Sequence, residues 1–246
     1  MTAAPDRHAR RREATRVKLL DAAKALFARH GADNTRIQEI TDEADVGFGS
    51  FYNHFQSKQA LIEVVLAETI AGQGTEIDGL AFQLDDPAEI ISAAHRSFVL
   101  RARDDPDWGW LLVRLDVSHN ILLAALGPYA RRDLRAGVSA GRLSVPQERI
   151  ALYAAGGALL AVMRAVLVGD APKDADILHA EGVLRLFGLP SDEAAEVARR
   201  VLPATSTEHQ TRPAREVLFQ PSDRLIARLR RPQPTRVEGR TRAARE

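Results

Sequence analysis

The side chains best suited to chemistry lie together between residues 48 and 58. Hydroxyl groups, an amide, an imidazole and the aromatic rings of Phe and Tyr occur from Phe48 to His54, and neither Asp nor Glu is present from Phe48 through Lys58. Such groups donate hydrogen bonds to phosphate oxygens and base edges, and Gly49 permits close approach of the backbone. A merely solvated helix face more often carries Glu, Lys or Ala. The pattern therefore favours contact with nucleic acid.

Other chemistries have little support in this sequence. The absence of cysteine rules out disulfides, thiol catalysis and thiolate zinc sites. The pairs Asp85-Asp86 and Asp104-Asp105 resemble catalytic carboxylates, but both precede predicted helix starts, where acids cap backbone amides. No two histidines have metal-ligand spacing on one helix; they stand at positions 8, 30, 54, 95, 119, 179 and 209. Without a phosphate-binding glycine loop or a serine elbow either, we expect no enzyme activity, no cofactor and no metal.

The elements around the polar stretch predict a helix-turn-helix. Thr35, with Gln38 three residues later, fits a capping box at the start of one short helix. The tripeptide Asp45-Val46-Gly47 suits a tight turn, and a second short helix follows from Phe48 to His54. Two short helices joined by a tight turn, here about residues 36–55, place the second helix in the major groove of DNA.

The second helix has an inner and an outer face. Val46, Phe51 and Phe55 have the spacing to turn inward against the flanking helices, and Ser57 is placed to cap the next helix. The residues left to face solvent or a partner are Phe48, Gly49, Ser50, Tyr52, Asn53 and His54.

A series of fixed spacings extends this pattern over roughly residues 13–70. The series runs from Leu19-Leu20-Asp21-Ala22-Ala23 through Leu26-Phe27, Gly31 and Thr35 to Val46, Gly49, Tyr52, His54-Phe55, Lys58 and Leu61. It resembles the TetR family of bacterial transcriptional regulators. Asp45 stands where that family usually has Gly, and Gly47-Phe48 replaces a Ser followed by a basic residue. Without that basic side chain, Phe48 should instead contact a thymine methyl group or a sugar.

The resemblance implies an all-α fold with an N-terminal three-helix helix-turn-helix DNA-binding domain and a C-terminal helical bundle for ligand binding and dimerisation. It also implies a sequence-specific transcriptional repressor that a small apolar or amphipathic ligand releases from a palindromic operator. The alternative is a structural DNA-binding protein of the same fold without a small-molecule effector. The expected partners are double-stranded operator DNA, a second copy of the chain and the effector, with no membrane. The lack of a secretory signal favours the cytoplasm.

Composition sets the expected domain limits. Residues 1–12 are basic and predict a disordered arm, which alternatively follows the phosphates or enters the minor groove. Residues 13–73 should form the DNA-binding domain, and residues 74–202 the helical ligand-binding and dimerisation domain. Residues 203–246 are rich in Arg, Pro, Thr and Glu, and predict a basic disordered tail.

The most apolar segment predicts a helix that another helix can approach closely. Residues 151–163 carry no charge, but a membrane span needs about 20 apolar residues. We therefore expect a homodimer joined through Ile150–Leu167 and Asp174–Phe187, where Gly156-Gly157 allows close packing. The alternative is a helix buried within one chain.

Three sets of site residues follow from these arguments. In the DNA-binding set, Phe48, Gly49, Ser50, Tyr52, Asn53 and His54 face the groove, and Thr35, Arg36 and Lys58 contact phosphates. The ligand-binding set is His95, Phe98, Trp110, His119, Asn120, Tyr129, Tyr153 and Met163, which include more polar groups than a bundle core needs. The dimer set is Ala154, Gly157, Leu160, Ala161, Leu178 and Leu186.

Overall fold

The computed structural model describes residues 7–115 and 119–203, and these residues form ten α-helices and no strand. The all-α prediction is confirmed. The helices are α1 (Arg7–His30), α2 (Ile37–Glu43), α3 (Phe48–Tyr52), α4 (Lys58–Ala81), α5 (Pro87–Asp104), α6 (Pro106–Arg114), α7 (His119–Ser139), α8 (Glu148–Leu167), α9 (Ala175–Leu186) and α10 (Ser191–Ala198).

Helices α1 to α3 and the start of α4 form the N-terminal head. Helix α1 packs against α2 and α4, and α2 packs against α3. Apolar residues at helical spacing on α1, including Leu19, Ala23 and Phe27, are buried in this arrangement. Helix α4 begins where the sequence indicates, because the Ser57 side chain accepts a hydrogen bond from the Ala60 N–H at 3.1 Å.

Helix α5 is the central element of the body, in contact with α4 and with every helix from α6 to α10. It begins at an Asp-Pro pair, where Asp86 accepts a hydrogen bond from the Ala88 N–H at 2.9 Å and Pro87 occupies the first turn. Helix α6 begins in the same way, with Asp105 accepting from the Trp108 N–H at 3.1 Å. The prediction that these aspartates cap helices is confirmed.

One apolar core extends from the head into the body. It includes Phe51 of α3, Leu66 of α4, Phe98 of α5, Trp108 of α6 and Met163 of α8. A second core joins the start of α5 to α7, α8, α9 and α10. Because tightly packed side chains transmit displacements, the first core ties the position of α3 to that of the body helices.

Two helices of the head extend across the limits expected from the sequence. Helix α1 begins at Arg7, so residues 7–12 of the predicted disordered arm are helical. Arginine is a good helix former, and this stretch contains no Gly or Pro. Helix α4 continues through Gly72 and Gly74 to Ala81, so the predicted domain boundary at residue 73 falls inside a helix. Each glycine costs a helix about 1 kcal/mol, which burial of neighbours such as Ile77 offsets.

Pro128 lies inside α7, where it removes one backbone hydrogen bond of the helix. Helix α10 ends at Ala198, so residues 199–202 of the predicted helical domain follow the last helix. The remaining parts of the predicted arm and tail, residues 1–6 and 204–246, lie outside the described residues.

Candidate nucleic-acid interface

The turn between α2 and α3 depends on a residue in the left-handed region, Asp45, with φ of 52°. On either side of it, the Ala44 N–H donates to the Ile40 carbonyl and the Val46 N–H to the Thr41 carbonyl, both at 3.0 Å. These bonds close the end of α2 and redirect the chain into α3. An L-residue with a side chain pays a steric cost at positive φ, and aspartate pays less than most.

The segment formed by α3 and the residues just after it has exposed aromatic rings on one side and buried aromatic rings on the other. Phe51 and Phe55 are buried, with ring centroids 5.7 Å apart. Phe48 is 47% exposed and Tyr52 is 53% exposed, and their rings meet edge to face at 5.8 Å. The division into an inner and an outer face therefore agrees with the burial of these four side chains.

Ser50, Asn53 and His54 form the polar side of the α3 segment. Asn53 is exposed, and Ser50 and His54 are half-buried. Burial lowers the pKa of His54 below its ordinary value, and the charges of Arg12 and Arg16 lower it further. The imidazole is therefore neutral at pH 7, and it offers one donor and one acceptor to a partner.

Thr35 was predicted to cap α2 and to contact a phosphate, and both predictions are wrong. The residue is buried, and its hydroxyl donates to the Gly31 carbonyl at 2.8 Å. That carbonyl follows the end of α1, where helix carbonyls lack partners within the helix. The N-cap of α2 is instead Arg36, whose N–H donates to Glu39 Oε2 at 2.6 Å.

Lys58 links the start of α4 to the loop before α2. Its Nζ donates to the Ala32 carbonyl at 2.9 Å and to the Thr35 carbonyl at 3.1 Å. An ammonium group has three N–H donors, so one remains for a phosphate oxygen. Arg36 is exposed. Phosphate contact by Arg36 and Lys58 stays a prediction, and the structure adds a second, structural role for Lys58.

The residues predicted to line an effector cavity are dispersed over the body. Phe98 and Met163 belong to the apolar core, and the Phe98 ring lies 5.8 Å from that of Trp108. His95 is half-buried, and its Nδ1 is 2.9 Å from Nε2 of His179. Burial lowers the pKa of both imidazoles, so the pair is neutral at pH 7. Packing accounts for these side chains without a ligand.

The other predicted cavity residues lie apart from that group. The ring of Trp110 lies under the Arg114 guanidinium, 4.2 Å from its centroid, and Tyr153 pairs with Arg149 on α8. The side chains of His119 and Asn120 lie outside the described residues.

Tyr129 belongs to a polar cluster between α4 and α7. The other members of this cluster were not predicted from the sequence. Arg132 donates to Asp133 at 2.8 Å and to Asp78 at 3.2 Å, and it lies 5.6 Å from the Tyr129 ring. Burial raises the pKa of Asp78, and burial together with the Asp78 charge raises the pKa of Tyr129. Such half-buried groups mark a candidate small-molecule site. Asp78 and Arg132 are 54 positions apart, so no local pattern brings them together.

Helices α8 and α9 leave apolar residues uncovered. Ala154 and Ala161 are exposed on α8, and Gly157 and Leu160 are half-buried there. On α9, Leu178 is 47% exposed and Leu186 is 43% exposed. Helix α8 is long and apolar enough to cross a membrane, judged by length and composition alone. Only 28% of its most apolar stretch is buried within one chain. One such helix is weak evidence for a membrane span, because a core helix of a soluble protein passes the same test.

Two family profiles match the chain, one in the head and one in the body. Residues 19–65 match the family described as bacterial regulatory proteins, tetR family, and residues 86–200 match the tetracyclin repressor-like C-terminal domain. Among solved structures, RolR in complex with resorcinol is similar over 80% of this chain and 100% of its own, with 35% identity and a TM-score of 0.68.

Curated relatives match over shorter segments. The HTH-type transcriptional regulator UidR of Escherichia coli K12 is 29% identical over 92 residues, which are 36% of this chain and 47% of UidR. The HTH-type transcriptional repressor KstR2 of Rhodococcus jostii is 36% identical over 86 residues, which are 34% of this chain and 41% of KstR2. The chain thus spans about half the length of the curated relatives that it matches.

Replacing Asp45 with Gly should stabilise the head by about 0.5–1 kcal/mol, because glycine adopts a positive φ without steric cost. Urea unfolding measures the gain. The control Asp45→Ala removes the carboxylate but keeps the Cβ, and it should destabilise the protein. If Asp45→Gly lost stability as well, the carboxylate rather than backbone strain would dominate at this turn.

Proposed function

This chain belongs to the TetR family of bacterial regulatory proteins, and we propose on that basis that it is a DNA-binding transcriptional repressor. The observation that carries the proposal is the outer face of α3, where Phe48, Tyr52 and Asn53 are exposed and acidic residues are absent. Cytoplasmic location follows from a DNA target. A structural DNA-binding protein without an effector has less support, because UidR and KstR2 are named as regulators and RolR holds a ligand.

Recognition would place α3 in the major groove. Ser50, Asn53 and the neutral His54 can donate to and accept from base edges, and Gly49 allows close approach. The exposed rings of Phe48 and Tyr52 suit thymine methyl groups and sugars. Arg36 and the remaining donor of Lys58 would contact phosphates on either side of the helix.

A homodimer would give this short helix sufficient affinity. Helix α3 is five residues long, so one copy covers only a few base pairs, and a second copy about 34 Å away would read the other half of a palindrome. The uncovered apolar residues of α8 and α9, including Leu178 and Leu186, would pack against the same residues of the second copy. This arrangement would bury the apolar surface that one chain leaves exposed.

The effector that we propose is a small phenolic molecule. The proposal rests on the similarity to RolR, which was solved with resorcinol, and on the polar cluster between α4 and α7. There the Asp78 and Asp133 carboxylates could accept hydrogen bonds from phenol hydroxyls, while Arg132 and Tyr129 could donate. Because α4 also begins beside α3, a ligand that displaced α4 at Asp78 would alter the spacing of the two recognition helices.

Two substitutions should separate base recognition from phosphate contact. Asn53→Ala should change which operator bases are preferred and leave the salt dependence intact, because the lost hydrogen bonds carry sequence information. Arg36→Ala should weaken all sequences alike and reduce the slope of log K against log salt by about 2, one contact for each protomer of the dimer. Fluorescence anisotropy with operator variants over a salt series measures both. An unchanged base preference in Asn53→Ala would contradict this arrangement of α3.

Gly157→Arg should split the dimer and abolish operator binding. A Cβ at Gly157 meets no other atom within 4 Å in one chain, so arginine fits the protomer and obstructs only the second copy. Gly72→Arg is the matched control, because Gly72 is equally open but lies on α4. Sedimentation velocity should find monomers for the first variant and dimers for the second. An intact Gly157→Arg dimer would overturn the proposed interface.

A further inference from the structure

An open groove lies beside the recognition helix. It has a volume of about 530 Å³ and runs between the first turns of α1 and the end of α3. Residues of both elements line it: His8, Arg11, Arg12, Thr15, Ser50, Asn53 and His54. The groove forms because α1 begins at Arg7, so that its first turns lie beside the end of α3.

The arginines of this groove lack acidic partners within the described residues. Arg12 Nη2 donates to the Asn53 carbonyl at 3.2 Å, and neither Arg11 nor Arg12 forms a salt bridge with any described residue. The nearby Glu13 pairs with Arg16 at 3.8 Å instead. Two guanidinium groups therefore face the groove with their charge uncompensated.

The neighbouring histidine is consistent with this positive field. Besides burial, the charges of Arg12 and Arg16 lower the pKa of His54, and Glu13 opposes them only in part. His54 therefore adds no positive charge at pH 7. It contributes a neutral hydrogen-bonding group beside the two guanidinium groups, as Ser50 and Thr15 do with their hydroxyls. This is the chemistry of a site for a phosphate group.

We propose that the first turns of α1 are a second DNA-contacting element, in which Arg11 and Arg12 hold a phosphodiester of the operator backbone beside α3. The inference rests on the proposed function, since it requires α3 to enter a major groove. Ser50, Asn53 and His54 line both the groove and the recognition surface, so DNA bound to α3 brings a backbone strand to this place. The major groove is about 12 Å wide, and its flanking phosphates lie next to any helix inside it.

A bound phosphodiester would also fix the orientation of α3. The bond from Arg12 to the Asn53 carbonyl already ties α1 to the C-cap of α3. A phosphate between Arg11 and Arg12 would draw the same two elements together around the DNA backbone. Free inorganic phosphate shares this chemistry, but an open groove with few donors binds a small, fully hydrated anion weakly.

Arg11→Ala tests the proposal, with Arg10→Ala as the charge-matched control. Both substitutions remove one arginine from the same end of α1, but Arg10 does not line the groove. With an operator selected from random DNA by the wild-type protein, Arg11→Ala should reduce the salt slope by about 2, because the dimer loses one phosphate contact in each half-site. Its affinity deficit should therefore shrink by about 12-fold between 0.05 and 0.2 M salt. Arg10→Ala should have a wild-type slope.

Hydroxyl-radical footprinting adds a readout that locates the contact. Wild-type protein and Arg10→Ala should protect a short stretch of backbone flanking each half-site, and Arg11→Ala should leave that stretch open while still protecting the half-site itself. Circular dichroism melts verify that both variants are folded.

The outcomes distinguish this inference from the proposed function. If the wild-type protein selects no specific DNA, the proposed function fails and the inference fails with it. If the wild-type protein binds an operator and Arg11→Ala matches Arg10→Ala in slope and footprint, only the second contact is wrong. A titration with inorganic phosphate, followed by NMR through the His54 ring resonances, tests whether the groove binds a free anion instead. Tight binding of phosphate that Arg11→Ala abolishes, without any change in operator affinity, would assign the groove to a free anion and overturn the proposal.

Discussion

The apolar core shared by head and body is the constraint on which the rest of the structure depends. Phe51 of the recognition helix, Leu66 of α4 and Trp108 of α6 belong to one continuous cluster. At the edge of this cluster, the Arg114 guanidinium donates to the Ala28 carbonyl at 2.5 Å and covers the ring of Trp110. The last turn of α1 is thereby fastened to the end of α6. Movement of the body helices must therefore shift the head, because a packed core cannot absorb it.

The same core explains how so short a helix can present a defined surface. Five residues are too few for a stable isolated helix, since the cost of forming the first turn is not recovered. Burial of Phe51 and Phe55 supplies the missing stabilisation and sets the direction of the opposite face. The bond from Arg12 to the Asn53 carbonyl holds the other end. The outer face of α3 is thus positioned by two buried aromatic side chains, Phe51 and Phe55, and by one arginine of α1.

Features encoded over a few residues were predictable from the sequence. The inward turn of Phe51 and Phe55 follows from helical spacing, and the caps at Ser57, Asp86 and Asp105 follow from local hydrogen-bonding chemistry. Thr35 fits a cap pattern equally well, but the free carbonyl of Gly31 takes its hydroxyl instead. That outcome depends on how the loop folds back on α1, which one short pattern does not specify.

Features formed between distant segments were not predictable. The groove joins α1 to α3 through residues 41 positions apart, and its existence depends on where α1 begins. The cluster of Asp78 and Arg132 depends on the packing of α4 against α7, and charged residues on amphipathic helices are usually solvated. The TetR resemblance places the head well, but it does not specify which body residues would meet an effector.

Reciprocal linkage between operator and effector tests the central claim most directly. Fluorescence of Trp108 and Trp110 can follow the binding of mono- and dihydroxybenzenes, resorcinol included, to the free protein and to its operator complex. We expect a phenol that weakens operator binding by about 5–150-fold to bind the operator complex more weakly by the same factor. Equal affinity for the free protein and the complex would contradict control of α3 by the body, and failure of every phenol to bind would contradict the proposed effector.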